Sequence, residues 1–153
     1  MAKDSDSLGD YLKNLEKKQT SRRCPKGRPL IVRLDGRSFH HFTRGLRRPF
    51  DERLSSAMIK LTEFLMKEFH ARVGYTQSDE ITLIWYVEKD SESEYLFGGR
   101  FHKIDSIIAS AASVEFNRLI RDDDSSTYIP EKSDLTPLFD CRSFPGKSFK
   151  DVQ

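Results

Sequence analysis

Three carboxylates stand where apolar, β-branched runs of this chain begin or end. Asp35 closes the run 30–34, and Asp79 and Glu80 come directly before the run that starts at Ile81. Residues at the ends of such runs lie at the edge of a sheet rather than in its middle. If the two edges meet, the acids repel one another and raise their pKa values unless a cation neutralises them. Because Mg²⁺ binds carboxylates and nucleotide phosphates together, these acids predict a magnesium and nucleotide site.

Each of these acids, taken alone, also fits an ordinary structural role. Asp35 followed by Gly36 is a common turn signal, Asp79 suits a hairpin turn, and Glu80 suits a solvated strand position. The functional interpretation therefore depends on whether the fold brings the two segments together.

The elements that must position the acids follow from periodicity and from capping residues. Asp6 or Ser7 can cap a first helix with apolar residues Leu8, Tyr11, Leu12 and Leu15. A strand at 30–35 and a loop at 36–50 precede a long helix opened by Asp51, with Leu54, Met58, Leu61, Leu65 and Phe69 on one face. Strands at 71–75 and 81–87 follow around a tight turn, then a helix beginning near 98–100 and a last strand at 138–144.

From residue 30 onward this order is βαββαβ, which is the ferredoxin-like arrangement of palm domains. The sequence therefore predicts an α+β fold with an N-terminal helix and its connection at 1–28 and one palm-type catalytic core at 29–153. Right-handed crossovers place the third strand between the first two and antiparallel to both. The end of the first strand, with Asp35, then lies beside the start of the third, with Asp79 and Glu80.

Two carboxylates on neighbouring strands can hold two Mg²⁺ ions about 3.5–4 Å apart, which activate a hydroxyl and stabilise a pyrophosphate leaving group. Gly36 would let the backbone approach a metal or phosphate, and its carbonyl is a possible ligand. Ser38 could cap a short helix directed at a triphosphate, and Lys103 could add a cation, although it would also be an ordinary exposed lysine. These residues predict a Mg²⁺-dependent nucleotidyl-transferring or cyclising enzyme.

Composition limits the class of protein but does not identify it. A chain of 153 residues with 37% apolar and 33% charged residues fits one domain, and no stretch is long and apolar enough to span a bilayer. Cys24 and Cys141 have no metal-ligand spacing, so we expect a reducing, cytoplasmic location and no zinc site. The arginines at 44, 47 and 48 fit a solvated loop and a phosphate-binding surface equally well.

Two segments, 31–40 (IVRLDGRSFH) and 75–80 (YTQSDE), resemble the signature motifs of the tRNA-histidine guanylyltransferase family. The segments 43–46, 48–53 and 139–142 are most similar to its bacterial and archaeal-type members. The resemblance implies a palm-fold enzyme that adds nucleotides to a tRNA 5′ end in the 3′–5′ direction, using GTP and ATP. In such members the reaction repairs tRNA 5′ ends.

The resemblance also implies roles for individual residues. Asp35, the Gly36 carbonyl and Asp79 would hold two Mg²⁺ ions, with Glu80 supporting them as a third catalytic acid. The residues expected to contact nucleotide are Gly36, Arg37, Ser38, Phe39, His40, Ser78 and Lys103, and, at less closely matched loop positions, Arg48 and Asp51.

Family members continue with a further helical region, whereas this chain stops at Gln153. We expect a catalytic core, a natural short form or a fragment, in which tRNA binding, assembly into dimers or tetramers, and turnover are affected. Two other functions remain open. One is a nucleotidyl cyclase, which shares the palm core; the other is a core that binds NTP or RNA without turnover.

Overall fold

The computed structural model describes residues 7–148, which form a four-stranded sheet and four helices. The elements are α1 (Ser7–Thr20), β1 (Leu30–Gly36), α2 (Phe39–Phe42), α3 (Glu52–Phe69), β2 (Val73–Gln77), β3 (Glu80–Trp85), α4 (Phe101–Arg121) and β4 (Phe139–Pro145). Short 3₁₀ turns at Leu96–Gly99 and Pro130–Lys132 complete the connections.

The strand order β2-β3-β1-β4 confirms the predicted ferredoxin-like topology. β3 lies between β1 and β2 and is antiparallel to both, and β4 pairs antiparallel with the other edge of β1. The strands β2 and β3 begin near the predicted positions but are shifted, so that Glu80 lies inside β3 and only Ser78 and Asp79 form the turn.

One face of the sheet is covered by α3 and α4. Strand residues that point to this face, such as Leu30, Val32 and Leu83, are fully buried. The predicted apolar face of α3 is confirmed: Met58, Leu61 and Leu65 are buried, and Leu54 and Phe69 pack against the core. Within residues 7–148 no element covers the opposite face of the sheet, whose strand residues are exposed or half-buried.

The N-terminal helix forms where the apolar spacing predicts it, but it does not join the core. α1 contains no buried residue. Its apolar side chains are 43–65% exposed; they are Leu8, Tyr11, Leu12 and Leu15. The candidate cap Asp6 lies outside the described residues, and Ser7 is the first residue of the helix. No helix in the described part of the chain is long and apolar enough to cross a membrane.

Candidate active site

Asp35 lies near the end of β1, on the uncovered face of the sheet. The strand register places it directly opposite Glu80 of β3 on one side and Asp140 of β4 on the other. Ser78 and Asp79 connect β2 to β3 at the same edge. The four acids therefore converge although they come from three separate parts of the sequence, as the predicted topology requires for Asp35, Asp79 and Glu80.

Backbone hydrogen bonding fixes the β2–β3 turn against the end of β1. The Gly36 N–H donates to the Asp79 carbonyl oxygen at 3.1 Å. Ser78 adopts a left-handed conformation, with φ 56°, that allows the tight reversal. The Asp35 and Asp79 carboxyl groups lie within hydrogen-bonding reach of each other. The predicted meeting of these two side chains is confirmed by this geometry.

The surroundings of Asp35 disfavour its charged form. Partial burial and then repulsion by the carboxylates of Asp79, Asp140 and Glu80 raise the pKa of Asp35 above its ordinary value. Such a group is stabilised by a proton or by a cation placed among the carboxylates. Two carboxylates and a nearby backbone carbonyl are the oxygen donors that Mg²⁺ prefers, so the residues present fit the predicted metal.

The two outer acids of this cluster are neutralised by arginines. Arg33 forms a salt bridge with Glu80 at 2.8 Å, and Arg142 lies 3.2 Å from Asp140 Oδ1. This Oδ1 atom is buried and has no well-formed hydrogen bond, because the approach of the Arg142 guanidinium has poor geometry. Among residues 7–148, no salt bridge is formed by Asp35 or by Asp79. The uncompensated pair is thus the pair predicted to hold metal, whereas Glu80 is engaged elsewhere.

Asp140 was not identified as a site residue from the sequence. A signal was present, because the strand predicted at 138–144 would begin at the sheet edge where β1 ends. Asp140, the third residue of that predicted strand, then lies beside Asp35. The register between strands was needed to show that Asp140 faces the same side.

Gly36 is required for a reason that the sequence did not show. A Cβ atom there would lie 2.4 Å from Phe39 Cδ1. The Phe39 ring is buried and packs against Phe42, Phe116 and Phe139 at centroid distances of 5.1–5.5 Å. Gly36 therefore lets the aromatic core reach the end of β1, and the Phe39 side chain belongs to that core.

The loop after β1 offers fewer free backbone donors than predicted. The N–H groups of Gly36 and Arg37 are bound to the carbonyls of Asp79 and Leu138, so they are used within the fold. Ser38 occupies the N-cap position of α2, but its side chain makes no capping hydrogen bond, contrary to the prediction. The side chains of Arg37, Ser38 and His40 are exposed, and their nucleotide contacts remain predictions.

Two adjoining clefts open beside the acids. An acidic cleft of about 530 Å³ is lined by Asp35, Gly36, Ser38, Phe39, His40 and Asp79, among others. A loop cleft of about 410 Å³ lies between the segment 43–51 and α3 and includes Arg48, Phe50, Met58 and Gln77. Thr43, Leu54 and Ser78 line both clefts, so a ligand can extend from the acids into the partly apolar loop cleft.

Asp51 borders the loop cleft but is committed to the structure. Its carboxylate accepts hydrogen bonds from the backbone N–H groups of Arg47 and Arg53 and from the Arg53 guanidinium, which also binds Glu131. These bonds lower the pKa of Asp51 to about 2, the Arg53 side chain being the main cause. The structure shows a helix cap whose buried carboxylate pairs with the partly exposed Arg53, and the nucleotide contact predicted for Asp51 stays a prediction.

Lys103 is not brought to the acids. It lies in the first turn of α4, with Nζ 5.5 Å from the centroid of the Phe97 ring. The acids adjoin the other part of α4, where Ser113 Oγ accepts from the N–H of Phe139. Ten residues of helix separate Lys103 from Ser113, which is about 15 Å along the axis. Lys103 is therefore distant from Asp35 and lines a separate cleft between α1 and α4.

Residues 9–146 match the model of the family described as "Thg1: tRNAHis guanylyltransferase". This match covers nearly the whole chain. The chain belongs to the Thg1 family. The membership confirms the resemblance on which the residue assignments depend, and the sheet topology agrees with the palm-type fold of its members.

The individual relatives of this Thg1-family chain are longer than it is. An uncharacterised protein of Acanthamoeba polyphaga mimivirus is 38% identical over 151 residues, covering 90% of this chain and 51% of the relative. A probable tRNA(His) guanylyltransferase of Mus musculus is 31% identical over 101 residues, covering 60% of this chain and 33% of the mouse protein. The chain thus spans about half, or less, of these relatives.

Solved structures of family members superpose well on the chain. A bacterial tRNA(His) guanylyltransferase (Thg1)-like protein in complex with GTP has a TM-score of 0.79 and 32% identity, over 92% of this chain and 63% of that one. The bacterial Thg1-like protein in complex with ATP has a TM-score of 0.80 and 31% identity, over 91% of this chain and 57% of that one. The tRNA(His) guanylyltransferase of Saccharomyces cerevisiae has a TM-score of 0.70 and 21% identity, over 88% of this chain and 58% of that one. This likeness supports the fold alone.

Proposed function

We propose that this Thg1-family chain is a Mg²⁺-dependent nucleotidyltransferase that adds nucleotides to the 5′ end of tRNA, with GTP and ATP as substrates. The observation that carries the proposal is the closeness of the Asp35 and Asp79 carboxyl groups, which form no salt bridge in the described structure and line the acidic cleft. The bacterial relatives in complex with GTP and ATP support the nucleotide class.

Asp35, Asp79 and the Gly36 carbonyl would hold two Mg²⁺ ions. When bound, the metal supplies activation of a hydroxyl nucleophile and stabilisation of the departing pyrophosphate. The salt bridges of Arg33 and Arg142 keep Glu80 and Asp140 engaged at either side, so that the central pair remains available. Glu80 would then support the site from its position opposite Asp35 on β3.

The rest of the site binds and orients the nucleotide. The loop cleft offers the apolar side chains of Phe50 and Leu54 to a nucleoside and the guanidinium of Arg48 to phosphates. His40 lies at the acidic cleft, where it can donate a hydrogen bond to phosphate oxygens. These contacts fix the triphosphate relative to Asp35, which is the positioning that phosphoryl-transfer chemistry requires.

The proposed reaction joins a nucleotide to an activated RNA end. The 3′-hydroxyl oxygen of the incoming nucleotide attacks the phosphorus of the RNA 5′ end, forming a new P–O bond while the hydroxyl proton is lost to solvent. The bond to the leaving group breaks: pyrophosphate departs from a 5′-triphosphate end, and AMP departs from an end activated with ATP. Arg48 lies close enough to the loop cleft to stabilise the charge of such a leaving group.

The test is incubation of the chain with Mg²⁺, labelled GTP or ATP, and tRNA with or without its first 5′ nucleotide, with RNA length as the readout. We expect RNA longer by one or more nucleotides. Asp79→Asn should lower the rate by about 10³-fold or more, because metal stabilisation of the transition state is worth several kcal/mol. Asp123→Asn, the same change in an exposed loop, is the matched control and should leave the rate unchanged.

Other results would point to the alternative functions. Cyclic nucleotide formed without RNA would identify a cyclase. Nucleotide binding without any product would identify a binding core whose turnover needs a region that the longer relatives contain. Normal RNA extension by Asp79→Asn would refute the site assignment itself.

A further inference from the structure

The uncovered face of the sheet carries side chains in ordered rows. Strand residues two positions apart point to the same face, and the register aligns them across the strands. The first row, which we call the acidic row, contains Glu80, Asp35 and Asp140. The row next to it is formed by Tyr75, Thr82, Arg33 and Arg142. Rows are about 7 Å apart along a strand, so this middle row directly adjoins the candidate metal site.

The middle row is unusual for a sheet surface. Arg33 and Arg142 stand directly opposite each other, and like charges in that position are destabilising. Each guanidinium has one carboxylate partner and keeps further N–H donors, since its side chain is 50–70% exposed. Tyr75 is 59% exposed, and its hydroxyl donates to Gln77 Oε1 on the same strand.

The third row continues the face with apolar side chains. It consists of Val73, Ile84, Ile31 and Phe144, of which Val73 and Phe144 are 49% and 39% exposed. From one end of the strands to the other, the face therefore changes from acids to arginines with a tyrosine and then to apolar groups with a phenylalanine.

We propose that this uncovered face, formed by the outward side chains of β1–β4, binds a single-stranded segment of the RNA substrate. The Tyr75 ring stacks on a base while Arg33 and Arg142 contact phosphates. Exposed aromatic residues on a four-stranded sheet, with nearby cations, are a recurrent way of binding single-stranded RNA. That the RNA is the substrate whose 5′ end reaches Asp35 rests on the proposed function; the binding itself does not.

The composition of the face favours RNA over a protein partner. A face that is covered by protein would place the two arginines in a dry interface, where unpaired guanidinium donors are costly. Phosphates instead supply acceptors for the donors that Glu80 and Asp140 leave free. The row also leads without interruption into the acidic row, as a surface that delivers an RNA end to the metals must.

The experiment measures the affinity of the full chain for a labelled, short single-stranded RNA by fluorescence anisotropy in Mg²⁺ buffer at low salt. Tyr75→Ala should weaken binding about tenfold, as expected for the loss of one base–aromatic stack. Tyr75→Phe keeps the ring and should stay within about twofold of the unmodified chain. Tyr11→Ala removes an equally exposed tyrosine from α1, at 60% exposure, and should change nothing.

Each remaining outcome decides for or against the proposal. Unchanged RNA affinity in Tyr75→Ala, or no RNA binding by the unmodified chain, overturns it. A changed oligomeric state with unchanged RNA affinity shows that a second copy covers the face, which also overturns it. GTP affinity should be unaltered in Tyr75→Ala, which excludes misfolding as the cause of a loss. Tyr75-dependent RNA binding without nucleotide addition would leave the RNA surface standing while refuting the proposed function.

Discussion

Asp51 and Asp35 border the same continuous pair of clefts, yet they stand in opposite electrostatic surroundings. The Asp51 carboxylate is buried and receives hydrogen bonds from Arg53 and from two backbone N–H groups, so its pKa falls to about 2. The Asp35 carboxylate faces Asp79, Glu80 and Asp140, and its pKa rises. In the sequence the two residues look alike, because each is an aspartate at a boundary: Asp35 lies near the end of β1 and Asp51 directly before α3.

The difference separates a structural acid from one that awaits a ligand. Asp51 is fully compensated inside the protein, caps α3 and holds the loop 43–51 through Arg47 and Arg53. Asp35 and Asp79 are left uncompensated, at a cost in stability that a bound cation would reverse. Functional sites commonly carry such a cost, because their groups are arranged for a ligand rather than for the unliganded fold.

The largest effect on stability is expected at Asp51. Asp51→Ala should lower the free energy of unfolding by about 3 kcal/mol, because it removes a helix cap and leaves the Arg53 guanidinium without its main partner. The fluorescence of Trp85, the single tryptophan, reports unfolding in urea, since its ring is buried beneath α3 and bonded to the Phe69 carbonyl. A loss below about 1 kcal/mol would contradict the structural role.

Acid pH should remove the same contribution. The pKa of Asp51 is lowered from 3.8 to about 2, so its stabilising charge is fully present above pH 4 and is lost as the pH falls through about 2. Asp51→Asn keeps an acceptor for the cap and lacks the charge. The stability difference between the unmodified chain and Asp51→Asn should therefore shrink across this range; a constant difference would show that the charge is not the cause.

The contrast between the two acids shows what the sequence could and could not predict. Apolar periodicity and strand order were enough for the topology, and the topology placed Asp35 beside Asp79. The sequence could not show which acids are neutralised, because Arg53, Arg33 and Arg142 find their partners through rotamers and register. The sequence analysis also predicted that Lys103 lies near the triphosphate, whereas the structure places it away from the acids. A position in the first turn of a helix does not reveal which end of the sheet that turn adjoins.

Gly36 and Asp140 illustrate the same limit from the other side. From the sequence, Gly36 was expected to let the backbone approach a ligand. In the structure it makes room for the Phe39 ring, which is buried in the core. Asp140 was overlooked, because an acid in a strand is informative only when its neighbours across the sheet are known. Both depend on contacts between residues distant in the chain.

A smaller effect, opposite in sign, is expected at Asp35. Asp35→Asn should raise the metal-free stability by about 0.2–1 kcal/mol, because it removes like-charge repulsion across the strands. The pKa of Asp35 is raised in the folded state, so the native chain binds the proton more readily, and the gain should vanish as the pH falls towards the unfolded pKa. Thermal unfolding at neutral and acid pH, without divalent ions, measures both.

Saturating Mg²⁺ provides the control for that result. It should stabilise the unmodified chain and leave Asp35→Asn nearly unaffected, because a ligand that binds only the folded site shifts the unfolding equilibrium. If Asp35→Asn is instead less stable than the unmodified chain without metal, the carboxylate is structural and the comparison with Asp51 fails.

The smallest effect is expected at the exposed pair Arg33–Glu80. Both side chains are about half exposed, with 50% and 51% accessible, so their coupling in a double-mutant cycle with Arg33→Gln and Glu80→Gln should be about 0.5 kcal/mol. A weak pair can release its guanidinium to a phosphate at little cost, as RNA binding on the uncovered face requires. A coupling above about 2 kcal/mol would instead make Arg33 a committed partner like Arg53, and the uncovered face would lose one of its two cations.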